Sequence, residues 1–171
     1  MNLNQDVPVG GHQTMRHNRE GKYLTFTLEG EDYGLVILKV KEIIGMMTIT
    51  TVPQMPAWVK GVINLRGKVI PVTDLRLKFG IAPMDYNDRT CIIVVEIQTA
   101  GNTILMGIVV DSVSEVLMIR ESEIEDAPEF GSRLDTDYIM GMAKTGGGVK
   151  ILLDIDRVLT RGELSAIAES V

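Results

Sequence analysis

Residues 61–75 read Gly61-Val62-Ile63-Asn64-Leu65-Arg66-Gly67-Lys68-Val69-Ile70-Pro71-Val72-Thr73-Asp74-Leu75, and a fainter copy of this pattern returns further along the chain. A shift of 80 positions lays Gly61, Gly67, Val69 and Asp74 on Gly141, Gly147, Val149 and Asp154. Upstream, a shift of 73 lays Gly34, Val36, Val40 and Glu42 on Gly107, Val109, Val113 and Glu115, with Leu35 and Ile43 meeting Ile108 and Val116. What recurs is turn glycines and β-branched residues, the parts of a fold. No Ser, His or Cys recurs that would mark a catalytic centre. The chain reads as built twice, and two similar β units side by side argue for a scaffold whose product is surface.

Within the quoted block, residues 62–65 and 68–72 are apolar and β-branched, and Arg66-Gly67 is the right length for a two-residue hairpin turn with Gly67 at positive φ. Pro71 cannot donate to a ladder, so its strand belongs at an edge or a bulge. Thr73 or Asp74 can cap a short helix through Lys78 that Gly80 stops. Outward from the block, residues 23–28 and 33–37 form a hairpin around Glu29-Gly30-Glu31-Asp32. Val40, Ile43 and Ile44 are spaced between the helical and strand periods, which leaves a helical turn running into a strand and a single bent strand both open. Residues 48–52 are a β-branched run closed by Pro53.

The second half repeats the logic. Strands are expected over 90–97 and 104–110 about the turn Ala100-Gly101-Asn102, a loop over 121–136, then strands 140–143 and 149–153 and a helix over 155–159 capped by Asp154. Leu164, Ile167 and Ala168 suggest a short closing helix over 161–171. About ten short strands read as an all-β fold of two small barrels with short helices. The expected division is a flexible leader over 1–21 and one domain over 22–160, its first barrel near 22–86 and its second near 87–160.

The chain has 171 residues, so neither half alone buries a generous core and the two should share packing. With 17 basic and 23 acidic residues the net charge is −6, and no basic tract exists to neutralise a phosphate backbone. Cys91 is the only cysteine and lies in an apolar run, which excludes disulfide stapling and suits a reducing compartment. No apolar run nears the roughly 20 residues that span a bilayer, so a cytoplasmic protein is expected.

A hydrolase or transferase needs a nucleophile beside a base, and the two histidines, His12 and His17, fall in the polar leader. The same shortage leaves no tetrahedral metal set, and no cofactor is expected. Lys144-Thr145-Gly146-Gly147-Gly148 has its glycines after the Lys-Thr pair and leads into a strand, the reverse of a phosphate loop. Asn64 should bond the backbone of its own turn. Arg66 is either a solvated turn residue or a forked donor for a partner. Met46, Met47, Met140 and Met142 are either core filler or part of an adaptable surface. Phe130, in the polar loop 121–136, is either a surface anchor or a lid over the second barrel.

Residues 61–75, with Tyr33-Gly34, Val40-Lys41-Glu42-Ile43, Gly107-Ile108-Val109-Val110-Asp111, Glu115-Val116-Leu117 and Ala127-Pro128-Glu129-Phe130, resemble the CheW family of chemotaxis coupling proteins from about Tyr23 to Leu159. The resemblance implies two five-stranded SH3-like barrels with a hydrophobic groove between them. It also implies a non-catalytic adaptor joining the regulatory domain of the histidine kinase CheA to the cytoplasmic tip of methyl-accepting chemoreceptors. By the same resemblance, Val40, Arg66, Val109 and Val110 fall at receptor-binding positions, and Gly67, Val69 and Phe130 at kinase-binding ones. Glu125 departs from the family pattern beside the last of these. The alternative is a ligand-binding or scaffold domain of the same kind serving a different chemosensory pathway.

Overall fold

The computed structural model describes residues 19–128, 136–159, 163 and 167. The strands are β1 (Gly21–Leu28), β2 (Glu31–Val36), β3 (Val40–Gly45), β4 (Val59–Leu65), β5 (Lys68–Asp74), β6 (Cys91–Thr99), β7 (Asn102–Val110), β8 (Ser112–Ile119), β9 (Ile124–Glu125), β10 (Ile139–Thr145) and β11 (Gly148–Leu153). Two four-residue helices follow the quoted hairpin and its copy, α1 (Leu75–Lys78) and α2 (Ile155–Val158). Asp74 and Asp154 cap them, accepting from Arg76 N at 2.9 Å and from Asp156 N at 3.1 Å.

The duplication is visible strand by strand. β4 and β10 share one burial pattern, and both ladders carry a bulge at the same place, Val59/Gly61 and Ile139/Gly141. The glycine there is required by close approach. A Cβ on Gly61 would lie 2.0 Å from the Thr50 carbonyl oxygen, and one on Gly141 would lie 2.6 Å from Ile124 Cγ2.

One sheet runs β3-β6-β7-β5-β4 (barrel I) and the other β8-β1-β2-β11-β10-β9 (barrel II). Replacing each strand of barrel I by its repeat equivalent reproduces the order β8-β1-β2-β11-β10, so the sheets are related by the duplication. Each sheet also takes strands from both repeats. β7 of the second repeat pairs in parallel with β5 of the first through Val72↔Gly107, and β2 of the first pairs with β11 of the second through Leu152↔Gly34. A division at residues 86/87 therefore cuts both sheets: β1 and β2 belong to barrel II, and β6 and β7 to barrel I. Self-similarity locates the repeats, but cross-repeat pairing decides sheet membership.

Three apolar clusters result. Ile63, Ile70, Val72, Ile92, Val94 and Val109 fill barrel I, while Tyr23, Ile119, Ile124, Ala143 and Leu152 fill barrel II. The largest lies between the barrels and draws on both, with Leu24, Phe26 and Leu35 meeting Ile93, Val95 and Ile108. Strand β6 has both faces covered, Ile92 and Val94 inward and Ile93 and Val95 toward the other barrel, which accounts for its unbroken apolar run. Stacked rings of Phe26, Tyr33, Phe79 and Tyr138, with centroids 5.1 to 6.2 Å apart, line the same junction.

Several local expectations are refined. The segment around Val40 is a 3-10 turn, Ile37–Lys39, followed by strand β3. Residues 48–52 contribute only an isolated bridge, Thr50↔Val62. Pro71 lies on a strand with neighbours on both sides, but the ladder to β7 starts at Val72, so at Pro71 itself only β4 is paired. The region 121–136 opens with a 3-10 turn, Glu121–Glu123, and the short β9. Cys91 is half-buried against the shared core, its thiol donating to Arg89 O at 3.1 Å.

Candidate functional site

The turn joining β4 to β5 has Arg66 at φ 53° and Gly67 at φ 86°, both left-handed, and the copied turn has Gly146 at 60° and Gly147 at 83°. Both are the two-residue type whose central residues need positive φ. Asn64 Oδ1 accepts from Gly67 N at 2.9 Å and fixes the turn. The second repeat meets the conformational demand with glycine; the first keeps a long side chain there.

That side chain is forked onto Glu42 of β3. Arg66 Nη1 and Nη2 donate to Glu42 Oε1 and Oε2 at 2.6 and 2.7 Å, the bidentate geometry guanidinium and carboxylate prefer. β3 and β4 are the two edges of barrel I, so the pair spans its seam. The hydrogen bonds from Arg66 hold the Glu42 carboxyl below the usual carboxylate range. Glu42 is 29% exposed at its side chain and Arg66 71%, so the guanidinium presents its outer face to solvent while its fork is held. Sequence reasoning missed Glu42 as this partner. Its repeat equivalent Glu115 has only Gly146 at the corresponding apex, and that contrast was a readable signal.

Beside the turn, Gly67 is exposed and Val69 is 52% exposed. Val40 is half-buried at the start of β3 and packs on the shared core. A groove of about 680 Å³ opens next to Val69, lined among others by Lys41, Lys68, Pro71, Glu96 and Leu105. Val40, Arg66, Gly67 and Val69 thus lie on barrel I, on or beside the strands that flank its seam.

Val109 and Val110 do not join this surface. Both are buried, Val109 inside barrel I and Val110 in the shared core, because β7 runs between β6 and β5 with both faces covered. The resemblance gives both as receptor-binding positions, but their side chains are packing behind the surface. Phe130 lies outside the described residues. Glu125 pairs with Lys144 across β9 and β10, both side chains more than half exposed.

A second polar cluster ties the barrels together. Arg76 of α1 is buried and donates to Asp111 Oδ2 at 2.5 Å and to Ala82 O at 3.0 Å, and also pairs with Glu29 of the β1–β2 turn. At the repeat-equivalent place Asp156 of α2 accepts from Lys39 Nζ and from Gln98 N, both at 2.9 Å. Arginine in one repeat and aspartate in the other occupy the same station, each meeting the opposite charge. Among the described residues no group of three or more His, Cys, Asp or Glu is placed to hold a metal ion, and no helix is long and apolar enough to cross a membrane.

The CheW-like domain family matches residues 22–163. The chemotaxis protein CheW of Klebsiella aerogenes is 40% identical over 146 residues, covering 85% of this chain and 86% of that protein. The CheW of Bacillus subtilis is 36% identical over 141 residues, 82% of this chain and 87% of that one. A crystal structure of the scaffolding protein TtCheW from Thermoanaerobacter tengcongensis superposes with a TM-score of 0.74 at 37% identity, covering 84% of this chain and 95% of that chain. A duplicated pair of packed barrels, matched in sequence and fold along nearly its whole length, makes this chain a member of the CheW family, the scaffold proteins of bacterial chemotaxis.

Proposed function

We propose that this protein is the non-catalytic adaptor of a cytoplasmic chemotaxis array, joining the tip of methyl-accepting receptors to the regulatory domain of the histidine kinase CheA. The observation that carries the reading is Arg66, kept at a left-handed apex where the sister turn uses glycine, with its guanidinium open to solvent. Backbone strain retained at an exposed position, where the side chain's one local tie is its fork onto Glu42, supports a functional reading. Arg66 and Val40 form the receptor-facing surface, with Glu42 pre-orienting the fork. Gly67 and the exposed Val69 face the kinase, and Phe130, outside the described residues, is assigned to the same partner by the resemblance.

The physical division of labour follows from the packing. Barrel interiors and the shared core hold two faces in a fixed relation, so two partners bound to one chain are held at a fixed geometry. Co-sedimentation of the purified chain with a receptor cytoplasmic fragment and the kinase tests this. A ternary complex is expected, with each partner also bound singly. Absence of binding to either partner at tens of micromolar would contradict the adaptor reading.

A further inference from the structure

The loop that leaves β3, residues 46–57, walls a second groove on barrel I, of about 660 Å³, and none of Val40, Arg66, Gly67 or Val69 lines it. Met46, Met47 and Met55 bring three thioethers to this groove, and Lys60 of β4 is its one charged lining residue. At Lys60 and Tyr86 it continues into a recess of about 360 Å³ that adds Met84, Asp74 and Asp85.

Lys60 is unlike its surroundings. It makes no ion pair among the described residues, and its ammonium stands 5.8 Å from the centroid of the Tyr86 ring. That ring is itself fixed, since its hydroxyl donates to Asp74 Oδ2 at 2.8 Å. The second repeat puts Met140, packed on the barrel II core, at the equivalent place, so the fold does not need a cation here. The loop is also strained: Gln54 follows Pro53 at φ 61°, a left-handed station where glycine is usual.

What fits follows from the walls. Methionine side chains are unbranched and polarisable and adapt to an irregular apolar partner. An added strand does not fit, because Thr50 already exchanges both backbone bonds with Val62 on the edge of β4, and Pro53 and Pro56 have no N–H to offer. A helix satisfies its own backbone and brings only side chains. We propose that this groove docks an amphipathic helix of a partner protein whose apolar stripe carries a single carboxylate, which Lys60 takes. Asp74 and Asp85, beyond Lys60 in the recess, repel a second acid.

The test uses the full-length chain with isotope-labelled methionine methyls, read by NMR. The probe is a stapled synthetic helix of about four turns, with leucines along one stripe and one glutamate among them. The methyl signals of Met46, Met47 and Met55 are expected to move together on titration, while those of the buried Met106 and of Met118, exposed on barrel II, stay in place. Replacing the helix's glutamate by lysine should weaken binding about ten-fold, and Lys60→Glu should reverse that preference. Equal affinity of the two helices for the wild type, movement of Met118 as large as that of the groove methyls, or no movement at millimolar helix overturns the proposal. Should Lys60→Glu not fold, Lys60→Met keeps an unbranched stem and removes the charge. That variant should bind both helices alike, and a retained preference for glutamate overturns the idea. The synthetic helix carries neither receptor nor kinase sequence, so its outcome stands apart from that of the adaptor reading.

Discussion

Left-handed backbone costs a residue with a Cβ about 1 kcal/mol that glycine does not incur. At the two equivalent apices Gly146 avoids this cost and Arg66 bears it. Arg66→Gly should therefore fold at least as stably as the wild type, gaining at most about 1 kcal/mol, while losing receptor affinity. Arg66→Ala keeps the strain and should stay within about 0.5 kcal/mol of wild type in denaturant melts. A charge-assisted bond contributes roughly 1.5 to 3 kcal/mol, so either variant should bind receptor about ten- to a hundred-fold more weakly. Glu42 supplies a check in the free protein. Its folded pKa lies below the ordinary carboxylate value, so any stabilisation from the pair is present above that value and lost as pH falls through the folded pKa. Carboxyl NMR titration should show the Glu42 midpoint rising toward the ordinary value in Arg66→Ala; an unmoved midpoint would remove Arg66 as its cause. The apex itself was legible in the sequence, since two β-branched runs around an X-Gly pair specify a tight turn. The identity of Arg66's partner was not, because Glu42 lies on the far edge of the sheet and only barrel closure brings it near. The burial of Val109 and Val110 was not legible for a similar reason: an apolar strand reads alike whether one face is covered or two.

Among the elements, the hairpin-helix unit of each repeat is the most sequence-determined. Position in the sequence offers Thr73 or Asp74 as the first cap and Asp154 as the second, and both aspartates accept from backbone N–H groups at the start of their helices. Their environments differ. Asp74 is buried and also accepts from Tyr86 OH at 2.8 Å, whereas Asp154 has its pKa raised, first by burial and then by Asp156. Asp74→Ala should cost toward the upper end of the 0.5 to 2 kcal/mol typical of lost caps, because the Tyr86 hydroxyl is orphaned too. Asp154→Ala should cost less, and Asp154→Asn, which keeps a cap while removing the charge, should be neutral or better. The sign follows from the raised folded pKa. Between the ordinary aspartate value and that raised value the folded state holds the extra proton, so this group's contribution falls as pH rises. Urea melts of the three variants at neutral pH would check the order, and a loss in Asp154→Asn as large as in Asp154→Ala would count against it. Strand β8 escaped the sequence reading, since its periodicity is broken by outward-facing apolar residues such as Val116 and Met118, whereas the turn before β3 is one of the two readings left open there.

At the scale of the whole molecule, the repeats were legible and their exchange of strands was not. Shifts of 73 and 80 residues identify equivalent strands, but they are silent on whether β2 pairs within its own repeat or with β11 of the other. Because the largest apolar cluster draws on both sheets, losing either barrel would strip the core that the other packs against. Leu152→Ala, at the centre of barrel II, should cost about 2 to 5 kcal/mol and shift one single transition, with probes in barrel I and barrel II melting together. Two separate transitions would mean the barrels are independent. A rigid pair of barrels suits an adaptor, since it fixes one docking face relative to another. The central claim is that this fold exists to present a surface in which Arg66 is retained for binding and not for folding. Calorimetric titration of a receptor cytoplasmic fragment into the wild type and into Arg66→Gly, with melts of both proteins, tests it most directly. The account predicts an equal or higher melting temperature for the variant and an affinity at least ten-fold lower; a variant that binds as tightly as the wild type, or one that loses its fold, would contradict it.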